Sequence, residues 1–169
     1  MKYVCFFLLG IPLFSMANTY EYMQSVNNNG VKYDIHIIIK KTIITVTDHF
    51  DPSWSFKDTS FQCNNENKAQ IYLRHVDVAN VGDKQNVFFI SYMMSCEDQS
   101  QPPRIEYLAI YKGVQYVMSG IALTASVNDD WKRLSKRKFS YHINDALRND
   151  NEVFNFMVKY WPSQIILVN

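Results

Sequence analysis

VFFISYMM, residues 87–94, opens with apolar side chains at four consecutive positions, Val87-Phe-Phe-Ile90, instead of alternate ones. A half-buried strand alternates, because successive side chains point to opposite faces of the sheet. An unbroken run rich in aromatic and β-branched residues instead suits a strand covered on both faces. Residues 69–76, AQIYLRHV, read as its neighbour, and the two are expected to be the central strands of the sheet.

Hairpins are written on both sides of this pair. Residues 20–26 and 31–37 alternate around Asn27-Asn-Asn-Gly30, and Asn-Gly is the strongest short-range hairpin signal because both residues tolerate positive φ. Thr42-Ile-Ile-Thr-Val-Thr47 reads as a third strand, with Lys40-Lys41 as solvated charge in the turn before it. Downstream, residues 105–112 and 115–119 pair across Gly113, with Tyr107, Leu108, Ile110 and Tyr111 as sheet contacts. Helix signals come late. Residues 141–148 allow a short helix, and Asn151 is placed to cap a better one in which Val153, Phe156, Met157 and Tyr160 share a face and Pro162 ends the run. Residues 164–168 return as a last strand. Strands first and helices last predict an α+β fold, a mainly antiparallel sheet with one or two C-terminal helices.

The first seventeen residues, MKYVCFFLLGIPLFSMA, have a positive start, a short apolar stretch and small residues before the expected cut, the pattern of a cleaved secretory signal. Without them 169 − 17 = 152 residues are left, the size of one domain spanning 18–169. The signal holds one of the 17 Lys and Arg and none of the 16 Asp and Glu, so the rest carries 17 − 1 = 16 positive and 16 negative groups. A neutral chain has no general electrostatic pull on nucleic acid or anionic lipid. Cys63 and Cys96 are an even, minimal pair, which in an oxidising compartment predicts one disulfide closing about 34 residues. A catalytic or metal-binding thiol would need a base or ligand cluster, and His36, His49, His75 and His142 show no such spacing to either cysteine. No Asn-x-Ser/Thr acceptor occurs, which with the short signal leans toward a bacterial periplasmic or secreted protein.

Asp77-Val-Ala-Asn80-Val-Gly82-Asp83 places oxygen donors near a glycine, as calcium loops do, but Ala79 and Val81 stand where further donors are needed. A structural turn is expected there, with Asp77, Asn80 and Asp83 as the only metal candidates and no cofactor. On LRHVDVANVGDKQNVFFISYMMSC, PRIEYLAIYKGVQYVMSG and VFNFMVKYW, across roughly residues 70–161, the chain resembles small exported bacterial proteins that carry an FG-GAP-like aspartate loop. The resemblance implies export and a β-rich architecture, and it implies no activity.

Enzyme templates are absent: no Gly-x-Ser-x-Gly, no His-Glu-x-x-His and no phosphate-cradling glycine loop. Asp129-Asp130 reads as a solvated turn, and His49 between Asp48 and Asp51 lacks a nucleophile. The basic run Lys132-Arg-Leu-Ser-Lys-Arg-Lys138 reads as a solvated face or as a contact for an acidic partner or the anionic envelope surface. The profile is that of a non-catalytic periplasmic module that binds another protein, an inhibitor or immunity protein neutralising an exported antibacterial effector. Its expected contacts are the stiff polar loop with Glu97, Asp98, Gln99 and Arg104, then Asp48, His49 and Trp54 in the aromatic loop 48–58. The alternative is an envelope-associated glycan-binding protein or enzyme acting on surface polysaccharide, using Trp54 and the tyrosine-rich hairpin to stack on sugar rings.

Overall fold

The computed structural model describes residues 19–40, 43–48, 56–58, 63, 69–99, 101–125 and 139–168. The signal expected at 1–17, His49, Trp54, Asp129, Asp130 and the basic run 132–138 lie outside them. The chain folds as eleven described strands, β1 Thr19–Asn28, β2 Val31–Lys40, β3 Ile43–Asp48, β4 Phe56–Asp58, β5 Ala69–Val81, β6 Lys84–Cys96, β7 Arg104–Tyr111, β8 Val114–Ile121, β9 Leu123–Ala125, β10 His142–Ile143 and β11 Ile166–Val168. Two helices, α1 Asp145–Arg148 and α2 Asn151–Ile165, precede the last strand. The fold is α+β as expected, dominated by antiparallel pairs. The exception is β11, which runs parallel to β9.

One sheet has the order β1-β2-β3-β4, a second β10-β8-β7-β6-β5, and β11 with β9 forms a separate two-stranded pair. Strand β6 shows why its sequence does not alternate. Phe88, Ile90, Tyr92 and Met94 face the first sheet and pack with Ile35, Ile37 and Ile39 of β2. Val87 and Phe89 face the other way and pack with Val153, Met157, Trp161 and Ile165 of α2. The molecule is therefore three layers, sheet on sheet on helix, with β6 in the middle layer and two cores divided by it. Cys63 and Cys96 are bonded (S–S 2.04 Å, Cα–Cα 5.8 Å) and lie within the core between the two sheets.

Two hairpins have the turns their sequences demand. Asn28 pairs with Val31 across Asn29-Gly30 at φ 50° and 79°, and Tyr111 pairs with Val114 across Lys112-Gly113 at 48° and 78°. Positive φ at both turn residues matches the twist of the flanking strands.

Several expectations change. Strand β5 is an edge, because β7 and not β5 takes the second central place. It also runs on to Val81, so Asp77 and Asn80 belong to a ladder and only Gly82 and Asp83 turn. Phe56–Asp58, expected within a loop, forms a short strand on β3, and Lys40 ends β2 opposite Ile43. The helix at 141–148 shrinks to α1, because His142 and Ile143 pair with β8. Asp150, not Asn151, caps α2: its side chain accepts from the Val153 N–H at 3.1 Å, and Asn151 is already the first helical residue. Pro162 does not end the helix, which continues to Ile165. The buried stripe runs Val153, Met157, Trp161, Ile165 at strict four-residue spacing. Tyr160 is thereby rotated onto the flank, 40% exposed, and Phe156 is only half-buried.

A charge cluster fixes where α2 begins. The Lys84 ammonium, from the β5–β6 hairpin, lies 3.2 Å from Asp150 Oδ2 and 3.4 Å from Glu152 Oε2. A side chain at Gly82, whose φ is +58°, would run into the Glu152 carboxylate. Burial pushes the Asp150 carboxyl up, but the Val153 N–H, the Lys84 ammonium and the Tyr116 hydroxyl together outweigh it and hold it below its usual value. A carboxylate depressed in the folded state contributes stability above its unfolded pKa, and that contribution is lost as pH falls through the folded one. The hydrogen bond to Asp150, with that carboxylate's charge, the Glu152 hydrogen bond and the Asp83 charge, outweighs burial and raises the Lys84 pKa. Its contribution is fully present below the ordinary lysine value, so at neutral pH the pair is intact. Asp150→Ala should thus lower stability by about 1 kcal/mol at pH 7. In urea titrations at several pH values, the gap from the parent should close below pH of about 4; a gap that is constant with pH would refute the assignment.

Candidate functional sites

Two places stand out. The first is the loop that follows β6. Glu97 and Asp98 form a turn, Gln99 adopts φ 52°, and the Gln99 N–H donates to the Cys96 carbonyl at 3.0 Å. Gln70 Nε2 donates to Glu97 Oε1 at 3.0 Å, and the Pro103 carbonyl accepts from the Ala122 N–H at 2.8 Å. The turn is therefore tied to the sheet at both ends and anchored at Cys96 by the disulfide, while Glu97, Asp98 and Gln99 stay exposed. Arg104 is not part of this loop. It opens β7 and pairs with the buried Glu106 at 2.6 Å. Of the second expected contact group, Asp48 is the last residue of β3. The structure thus brings Glu97, Asp98 and Gln99 together and commits Arg104 to a neighbour.

The second place is a groove of about 580 Å3 where α2 leaves part of the edge strand β5 uncovered. Its floor is polar as well as aromatic. Ser163 and Gln164 line it, and the buried Ser91, which does not reach the groove, donates from Oγ to Gln164 Oε1 at 2.6 Å. One wall is aromatic: Phe89 stacks on Phe156 at 4.7 Å, Phe156 meets Tyr160 at 4.8 Å, and Tyr107 lies 5.9 Å from Phe89. The Lys159 ammonium, 5.2 Å from the Tyr160 centroid, helps hold that ring. The opposite rim is β5, with Arg74, His75 and Asp77. His75 Nε2 lies 3.9 Å from Asp77 Oδ2, both half exposed.

A bulge sets this rim. Leu73 pairs with Tyr92 and His75 with Ser91, so Arg74 is an extra residue on β5. Such residues are aimed away from the regular pleat. Arg74 Nη2 reaches across to donate to the Ile166 carbonyl at 3.2 Å, bracing the end of α2. Burial, then the Asp77 carboxylate, then Tyr160 push the Tyr107 hydroxyl well up, so it stays a neutral donor at physiological pH.

Asp77, Asn80 and Asp83 do not form a common site. Asp77 Oδ1 accepts from the Val78 N–H at 2.8 Å beside the groove. Asn80 Oδ1 accepts from the Asn86 N–H at 2.9 Å and from Asn28 Nδ2 at 3.1 Å, filling a second bulge in which Asn86 has φ 59°. Asp83 lies 3.5 Å from the Lys84 ammonium. Among the described residues no three His, Cys, Asp or Glu gather as metal ligands. Sequence reading missed the groove because its residues come from β5, β6, β7 and α2. The available signals were the polar Ser91 within an apolar strand and the tyrosine at 160. No family model, curated protein or solved structure matches this chain.

Proposed function

We propose that this chain is an exported, non-catalytic protein-binding module of the inhibitor or immunity type, which docks on a secreted antibacterial effector through the turn at 97–99. The observation that carries the reading is the pinning of that turn. Three exposed polar residues are held by the Cys63–Cys96 bond, the Gln99-to-Cys96 hydrogen bond and the Gln70-to-Glu97 contact. A loop already fixed in one conformation loses little ordering entropy on binding, so its contacts turn into affinity with little loss. Two acidic groups at its tip suit a basic cleft on the partner, where charge complementarity sets on-rate and specificity.

The chain, tagged at its C-terminus and expressed with the exported effectors encoded beside it, is expected to retain one of them on affinity capture and to protect cells from it. Charge reversal by Glu97→Lys with Asp98→Lys should weaken binding by about tenfold or more and remove protection. Undiminished binding by the reversed variant, or no capture and no protection by the parent, would reject the reading.

A further inference from the structure

We propose that the groove between β5 and α2 binds a neutral oligosaccharide, with a pyranose ring against the Phe156–Tyr160 wall and its hydroxyls at Asp77, His75 and Arg74. This goes beyond the docking role of the 97–99 turn and shares no residue with it. It places the glycan contact in a groove that does not include the Gly113 hairpin turn.

Three observations point to this chemistry. The first is the cavity, about 580 Å3, which falls within the roughly 300–1,000 Å3 of ligand sites and is open along one side. A chain of sugars enters an open groove lengthwise, whereas a small apolar ligand favours an enclosed pocket. The second is charge. Among the described residues the rim carries one guanidinium and one carboxylate, Arg74 and Asp77. A phosphate or carboxylate ligand would meet Asp77 and a cationic one would meet Arg74, while a polyhydroxylated neutral ring uses both, one as donor and one as acceptor. The third is the floor. Gln164, held by its bond to the buried Ser91, lines the groove beside Ser163, and Gln164 Nε2 donates to Ser163 Oγ at 3.2 Å. Such a pair specifies one arrangement of side chains. Here it keeps hydrogen-bonding groups beside an aromatic wall, the pairing that a sugar with one apolar face and several hydroxyls requires.

Pre-organisation supports the same conclusion. Phe156 is held by Phe89, Tyr160 by Lys159, and Arg74 by the Ile166 carbonyl. These rings and charges meet a ligand without first being ordered.

The test is titration of the purified chain with maltotriose, cellotriose and chitotriose, each followed by tryptophan fluorescence and by saturation-transfer NMR. At least one trisaccharide is expected to bind with Kd of about 0.1–5 mM. Asp77→Asn keeps the Oδ1 acceptor for the Val78 N–H but removes the charge, and Tyr160→Ala removes an exposed ring. Each should weaken that binding about tenfold, with far-UV circular dichroism unchanged. Inorganic phosphate should neither bind nor compete. The proposal is overturned if no trisaccharide binds up to about 10 mM, if both variants bind as the parent does, or if phosphate displaces the sugar. Effector capture by Asp77→Asn should equal that of the parent, so failure here leaves the docking reading standing and the reverse also holds.

Discussion

Trp161→Ala is expected to cost about 3 to 5 kcal/mol, the range for truncating a large buried aromatic, and to be the most damaging single substitution in the helical layer. The side chain is 2% exposed and central to the core between α2 and the five-stranded sheet. The sheet is shaped to receive it. A β carbon built on Gly120 would sit 2.7 Å from Trp161 Cζ2 and 2.8 Å from the Ser140 carbonyl, so β8 gives up a side chain where the indole lies. The buried indole N–H has no hydrogen-bond partner among the described residues, which makes the loss one of packing. Trp161→Phe should then recover more than half of it. Urea denaturation followed by far-UV circular dichroism would decide; a loss below about 1 kcal/mol for the alanine variant would mean that the helix collapses onto the sheet without strain.

The second large effect is expected at the disulfide. Converting both Cys63 and Cys96 to alanine should cost about 3 to 4 kcal/mol, since the bond closes a long loop in the unfolded chain. The separation is 33 residues, and both sulfurs lie in the core between the sheets, 7% and 4% exposed. The same substitution also frees the base of the 97–99 turn. Denaturation of the double variant beside the parent, under oxidising conditions, measures the first effect. An unchanged urea midpoint would show that the loop is already constrained in the unfolded state.

Much of the fold was legible where local chemistry and tertiary context agree. Asn29-Gly30 and Lys112-Gly113 turn where the sequence says, because a two-residue hairpin leaves few alternatives. The apolar start of β6, Val87 to Ile90 without alternation, foretold cover on both faces, and the two cysteines foretold their bond. Expectation failed where the answer depends on partners distant in sequence. Nothing in residues 69–81 says that the strand ends up at an edge, because that is decided by β7 taking the inner place. On α2, Val153 and Met157 are buried as expected, while Tyr160 gives way to Trp161: both are large and amphipathic, and the hollow at Gly120 receives the tryptophan. Asp150 and Asn151 are both good caps, and the choice falls to Asp150, which Lys84 reaches from another hairpin. The turn at 97–99 was readable from its composition and its cysteine, whereas the groove is assembled from four elements and had no local signature.

The bulge at Arg74 bears on how this chain coexists with copies of itself. A long, regular strand at the rim of a sheet is a template on which another molecule can hydrogen-bond, the first step toward insoluble assemblies. Strand β5 is thirteen residues long, yet its register slips at Arg74, and near its end the Asn28 side chain caps Asn80. No long uninterrupted ladder is left to copy, and an arginine stands at the interruption. The irregularity that shapes the groove also makes the rim a poorer template for a second chain, so straightening it by deleting Arg74 is expected to lower solubility.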